Sequence, residues 1–286
     1  MAANEQAGQV ADMASAHRDD STAARVDRLE LPFNRLGVDP YGISKRHLSI
    51  GFAALGFLYR RYFRVKAHGV ANVPPRGRAM LVGNHSGGIA VDAAMVLTSV
   101  FLEMEPPRLA QGMAEKFINR LPIASIWASR CGQFTGLPEH AERLLADERL
   151  LMVFPEGARG TAKLYRERNS LVDFGTGFMR LAMRTRTPIV PFGFVGGGDA
   201  IPTVANSYGL GRLLGVPYVP ITPYLVTLPL PAALEVHFGA PLSFEGTGDE
   251  DDGEVFRHVA DVKTRIAALI EAGRETRRAR LGGGPS

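Results

Sequence analysis

Leu150-Leu151-Met152-Val153-Phe154, followed at once by Pro155-Glu156-Gly157-Ala158-Arg159-Gly160, decides how the chain is read. An unbroken apolar run of this length is that of a strand buried on both faces, as in the interior of a parallel sheet. The proline and glycines stop it, so a turn carrying a carboxylate and a guanidinium stands at the strand's end. Upstream, 122–130 and 138–147 read as helices opening on Pro122 and Pro138, because a first helical turn has no use for the N–H that proline lacks. Further back, 79–82 is a short buried strand, 89–101 a helix and 108–111 a strand. Downstream, 173–184 reads as a helix with Asp173 near its positive end, and 189–195 and 234–238 as strands. Val255, Val259, Val262, Ile266, Leu269 and Ile270 mark the buried face of a terminal helix. This alternation predicts an α/β fold: a mixed, largely parallel sheet flanked by helices. No long-period repeat occurs, which excludes solenoids and propellers.

The flanks of this core read differently. Residues 1–26 are small and polar, with too little apolar surface to offset the entropy of ordering, and are expected to form a disordered tail. In 44–64, Leu48, Phe52, Leu55, Leu58, Tyr59, Tyr62 and Phe63 share one helical stripe, while Arg46, Arg60 and Arg64 lie opposite. Such an N-terminal amphipathic helix packs on a core or lies in a membrane interface, and 27–66 is expected to be the interfacial region. Residues 209–231 interleave large apolar side chains with five prolines, too greasy for a solvated loop. They are expected to cover something apolar: the core, an acyl groove or a membrane.

The chain has 286 residues, 45% hydrophobic and 22% charged, enough for a full core and unlike a disordered or fibrous chain. Its charge of +4 suits an anionic lipid surface, a phosphorylated ligand or nucleic acid equally. The single cysteine, Cys131, forms no internal disulfide, and no signal-like segment opens the chain, so a reducing cytoplasmic setting is expected. No apolar run approaches the roughly 20 residues needed to span a bilayer.

The residues suited to chemistry form two groups. Asn84-His85-Ser86-Gly87-Gly88, with Asp92 downstream, puts a histidine at the end of a predicted strand, where open α/β sheets place ligands. A histidine there takes a proton from a hydroxyl if a carboxylate, here Asp92, orients its other nitrogen. Some 70 residues on, Glu156 and Arg159 share a glycine-flanked turn, in which Glu156 is expected to aim Arg159 at a phosphate or carboxylate.

These groups, with Thr187-Pro188-Ile189-Val190-Pro191 behind them, resemble the glycerolipid acyltransferase superfamily that includes the lysophosphatidate acyltransferases. Gly197-Gly198-Asp199 and the proline-rich 215–223 look like its monoacylglycerol and diacylglycerol acyltransferase-like branch. The resemblance runs over about 65–244 and implies an acyltransferase domain, here assigned to 67–282. It implies His85 as general base, Asp92 as its orienter, and Glu156, Gly157 and Arg159 on the acceptor, with Asn84, Gly87 and Gly88 in the substrate site. It further implies transfer of a fatty acyl group from a coenzyme A or carrier-protein thioester to a hydroxyl of lysophosphatidate, a lysophospholipid or a mono- or diacylglycerol. No metal or cofactor is expected, and the place of action is the anionic cytoplasmic face of a membrane. The Gly87-Gly88 turn is the expected oxyanion donor.

Two departures keep a second reading open. Six residues separate His85 from Asp92 where the family has four, and 131–136 lacks the arginine of the family's second motif. The first admits a non-catalytic lipid-binding or regulatory protein; the second leans the acceptor towards a neutral lipid. Other classes fit poorly. No Gly-x-Ser-x-Gly elbow occurs for a covalent hydrolase, Gly196-Gly197-Gly198 has no phosphate-loop spacing, and the histidines are too scattered for a zinc motif. The cations Lys163, Arg166 and Arg168 lack the interleaved aromatics of a nucleic-acid face and are expected to be solvated or to meet phosphates.

Overall fold

The computed structural model describes residues 21–86, 91–114, 122–135, 138–225 and 228–282. Seven strands form one sheet: β1 (Lys66–His68), β2 (Ala79–Gly83), β3 (Ala110–Ala114), β4 (Gln133–Thr135), β5 (Leu150–Val153), β6 (Ile189–Val195) and β9 (Glu235–Phe238). Their order is β1-β9-β6-β2-β5-β3-β4. Every neighbouring pair is parallel except β6 and β9, which run antiparallel. β2 and β6 are buried at every position, as expected of strands covered on both faces. β7 (Ala205–Ser207) and β8 (Val219–Ile221) form a separate antiparallel pair.

The helices are α1 (Thr22–Asp27), α2 (Lys45–Phe57), α3 (Val91–Glu103), α4 (Pro122–Arg130), α5 (Pro138–Ala146), α6 (Ala158–Thr161), α7 (Gly177–Thr185), α8 (Gly197–Ala200), α9 (Tyr208–Leu214) and α10 (Asp252–Arg280). α4 and α5 begin at their prolines as expected. α10 buries Val255, Val259, Val262, Ile266 and Ile270 against β6 and β9, and Asp251 caps it by accepting from the Glu254 N–H at 3.1 Å.

Three expectations are corrected. Residues 21–26 are not part of a disordered tail, and the rest of that expectation, 1–20, lies outside the described residues: Ser21 caps α1, and Arg25, 1% exposed, donates to the carbonyls of Phe101 (3.1 Å) and Met104 (2.7 Å) and pairs with Glu105 (2.6 Å). A guanidinium satisfying the orphan carbonyls at the end of α3 anchors this segment despite its small residues. Second, the apolar stripe of 44–64 faces the protein's own interior. Leu48, Phe52, Tyr59 and Phe63 are buried, and Phe52 stacks on Phe101 of α3 with ring centroids 3.8 Å apart. Only Ile50 and Phe57 of this segment are exposed large apolar residues. Third, the helix expected over 173–184 starts at Gly177. Asp173 precedes it, with its carbonyl taken by Arg159 and its carboxylate 3.7 Å from Lys263.

The proline-rich 209–231 contains α9, ended by Gly215 at φ 73°, and β8. Many of its apolar side chains face outward: Leu210, Leu213, Leu214, Leu225 and Leu228 are exposed, as is Tyr208 just before it, while Val216, Tyr218, Val219 and Tyr224 are half-buried. No described helix is long and apolar enough to cross a membrane.

Candidate active site

β2, β5 and β6 are adjacent and parallel, so the segments leaving their C-terminal ends emerge side by side. Asn84 locks two of these ends together. Its side-chain N–H₂ donates to the Phe194 carbonyl (3.0 Å) and its oxygen accepts from the Phe194 N–H (2.8 Å), extending the β2–β6 ladder by one side chain. Asn84 is fully buried with both ends of its amide engaged. Its side chain thereby ties β2 to β6 beside His85.

The next residue is His85. Its Nδ1 stands 3.1 Å from Asp92 Oδ2, so the longer spacing does close. The reason is local: Asp92 lies in the first turn of α3, and Oδ2 also accepts from the Ser86 N–H (2.7 Å) and hydroxyl (3.2 Å). Oδ1 accepts from the Ala93 N–H at 2.7 Å. Burial alone pushes this carboxyl up, yet the His85 charge and hydrogen bond, with the Ser86 and Ala93 amides, outweigh it and hold Asp92 below the usual carboxylate range. With Nδ1 committed to Asp92, Nε2 is the nitrogen His85 offers to a reactant. The Phe154 ring stacks flat on the imidazole, 3.9 Å between centroids, and fixes its plane from the β5 side.

The turn after β5 presses against this histidine. Gly157 takes φ 56°, ψ −150°, a conformation open to glycine alone. Gly160 stands between the two groups: a Cβ there would fall 2.8 Å from His85 Cβ and 2.7 Å from Glu156 Cβ. Glu156, 2% exposed, turns inward and pairs with Lys163 at 2.5 Å, not with Arg159. This corrects the expected Glu156–Arg159 clamp. Arg159 is exposed on α6 and donates to the Asp173 carbonyl at 3.1 Å.

Lys163, expected to be solvated or to meet phosphates, is 3% exposed. Its ammonium donates to the His85 carbonyl at 2.8 Å while pairing with Glu156, so one cation ties the carboxylate to the backbone of His85. Burial pushes Lys163 below and Glu156 above their usual ranges, each only partly offset by the partner's charge. Glu156 Oε1 is buried and has no hydrogen-bond partner among the described residues. Of the other two cations in the basic cluster, Arg168 pairs with Asp199 at 3.1 Å and Arg166 is exposed. A third loop closes the group, because Gly197 is bare where a side chain would meet the Ser86 hydroxyl. Gly87 and Gly88, the expected oxyanion donors, lie outside the described residues.

Comparison with known proteins adds three findings. The family model for acyltransferases matches residues 64–195, a span that includes His85, Asp92 and the Glu156 turn. Uncharacterized proteins of Mycobacterium bovis and Mycobacterium tuberculosis are 34% identical to this chain over 244 residues, 82% of its length and 68% of theirs. One from Mycobacterium leprae is 32% identical over 226 residues, 76% of this chain and 62% of its own. In fold the chain is similar to the crystal structure of the 1-acyl-sn-glycerophosphate acyltransferase of Thermotoga maritima. That match has 16% identity and a TM-score of 0.53, covering 85% of this chain and 83% of the other.

Proposed function

The chain belongs to the acyltransferase family, and from that premise we propose that it moves a fatty acyl group from a thioester donor to a hydroxyl of a glycerolipid, with His85 as general base. The observation that carries this is the buried His85–Asp92 pair at 3.1 Å, packed against the Glu156–Gly160 turn at the C-terminal ends of adjacent parallel strands.

In this reading His85 Nε2 accepts the proton of the acceptor hydroxyl as its oxygen attacks the thioester carbonyl. Asp92 holds the Nδ1–H tautomer and stabilises the imidazolium that forms. Collapse of the tetrahedral intermediate breaks the C–S bond, and the imidazolium returns its proton to the departing thiolate. No acyl-enzyme is needed. Glu156 Oε1, buried and unpartnered among the described residues, is suited to accept from a second hydroxyl of the acceptor. Arg159, exposed on the same turn, is suited to a headgroup or to the phosphates of coenzyme A. The closed His85–Asp92 contact removes the spacing argument for a non-catalytic protein.

The acceptor and the donor are then met at an anionic membrane surface. What supports this is the outward apolar face of α9 together with Leu225, Leu228 and Leu230, where Leu213 is 81% and Leu225 85% exposed. This unit is tied to the site: Asn206 donates to the Ala162 carbonyl at 2.6 Å, and Tyr165 N–H donates to the Thr203 carbonyl at 2.7 Å.

The test is incubation of the purified protein with radiolabelled acyl-coenzyme A or acyl carrier protein and a panel of lysophosphatidate, lysophospholipids, monoacylglycerol and diacylglycerol. His85→Ala is expected to lower turnover by roughly 1,000-fold with the far-UV dichroism unchanged. Retained turnover would remove His85 from the mechanism, and binding without product across the panel would favour the regulatory reading. Separately, Leu213→Ser with Leu214→Ser is expected to reduce co-sedimentation with anionic vesicles. Unchanged sedimentation would assign that face another role.

A further inference from the structure

On the β1–β9 edge of the sheet, three side chains of types that can ligate a metal meet. The parallel register sets Lys66 beside Glu235 and His68 beside His237. Because alternate residues of a strand share a face, Glu235, His237 and His68 project to one side. The two imidazoles stack with centroids 4.3 Å apart, and His68 Nε2 is 2.9 Å from Glu235 Oε2. One donor atom from each residue can be chosen so that all lie within 4.8 Å of one another.

An ion pair does not account for this cluster. Arg280 approaches Glu235 Oε1 to 3.1 Å, yet that oxygen makes no hydrogen bond among the described residues, and neither does His237 Nε2. Glu235 is fully buried and His237 only 9% exposed, so both atoms are cut off from water as well. The covering helix α10 presents Gly273 here, where a Cβ would come 3.2 Å from His237 Cδ2 and 3.5 Å from Nε2. His68, with 41% of its side chain exposed, opens the cluster to solvent.

We propose that His68, Glu235 and His237 form a binding site for a divalent transition-metal ion of the zinc type. Two imidazole nitrogens and one carboxylate oxygen, with a water on the His68 side, make the four-coordinate set that zinc favours. Drawing the donors to a tetrahedral spacing of roughly 3.3 Å needs side-chain rotations of about 1 Å, since each metal bond is ~2.0–2.1 Å long. Arg280 would hold the carboxylate from outside the coordination shell. The ion would join β1, β9 and, through Arg280, the end of α10, giving the short edge strand β1 a support its backbone pairing with β9 alone does not provide.

The test is titration of chelator-treated, full-length protein with Co²⁺ and then Zn²⁺. Visible d–d bands that saturate at one Co²⁺ per chain and vanish on Zn²⁺ addition are expected, as is a rise in Tm with Zn²⁺. His68→Ala, a change at a partly exposed side chain, is expected to weaken Co²⁺ binding by at least about 100-fold, the upper end of what losing even an outer-shell partner costs. His237→Asn is expected to do the same. Acyl transfer by His68→Ala should stay within about twofold of the parent, because this group touches no reacting atom. Absence of stoichiometric Co²⁺ uptake, or uptake that survives His68→Ala, would overturn the site.

Discussion

Two imidazole–carboxylate groups sit on one sheet and differ in how completely their polar atoms are satisfied. At the end of β2, the Asp92 carboxylate receives His85 Nδ1, the Ser86 N–H and hydroxyl, and the Ala93 N–H. On the β1–β9 edge, His237 Nε2 and Glu235 Oε1 receive no hydrogen bond among the described residues. A saturated carboxylate locks one tautomer and one orientation of its histidine, which is what a base requires. Unsatisfied buried acceptors carry a free-energy cost that a cation removes. The same residue types therefore point to opposite uses, and the hydrogen-bond inventory around them makes the distinction.

Three substitutions strain this contrast, in falling order of effect. Asp92→Asn should lower kcat by about 100-fold or more, because an amide cannot hold the Nδ1–H tautomer or stabilise an imidazolium. It should also change the acid limb of stability. Asp92 is held below its usual 3.8 in the fold, so its ionised form stabilises the protein above that pH. That contribution disappears as the pH falls through the folded value. Urea midpoints measured across the acid range should thus fall less steeply for Asp92→Asn than for the parent. Equal slopes would mean that Asp92 is not held ionised by these contacts.

Gly160→Ala comes next. The added Cβ has no room between His85 and Glu156, and overpacking of this kind costs about 1–3 kcal/mol. Urea denaturation should show that loss together with a reduced kcat. Full activity and stability would mean that the α6 turn shifts freely and that its closeness to His85 is not needed. The smallest effect on catalysis belongs to His68→Ala, expected to leave turnover nearly unchanged while abolishing tight Co²⁺ uptake. A large loss of turnover there would join the two groups into one functional unit and end the contrast.

Much of the fold was legible because a parallel sheet buries both faces of its strands, so β2, β5 and β6 stand out as continuous apolar runs. Proline placed the starts of α4 and α5 for an equally local reason. The antiparallel insertion of β9 beside β6 carried no such mark, since an apolar run does not encode its direction. In the site, His85 and Asp92 were legible as a motif seven positions apart. The partner of Glu156 was not. Arg159 is nearer in sequence, but on the α6 turn its side chain leaves the interior, while Lys163 returns beneath His85. The stripe of 44–64 and the greasy 209–231 segment were both apolar enough to cover a core or meet a membrane. One is buried against α3 and the other lies open, a difference that hydropathy alone does not carry.

Local physics was enough to establish an α/β chain with a histidine-and-carboxylate pair at a strand end, because apolar continuity, proline and short-range spacing act within a few residues of one another. Which cation neutralises Glu156, where Arg25 finds its carbonyls, and that His68 meets a glutamate 167 positions away were settled only by tertiary packing. Burial removes water as the default partner, and each polar group must then take whatever neighbour the folded chain brings within about 3 Å.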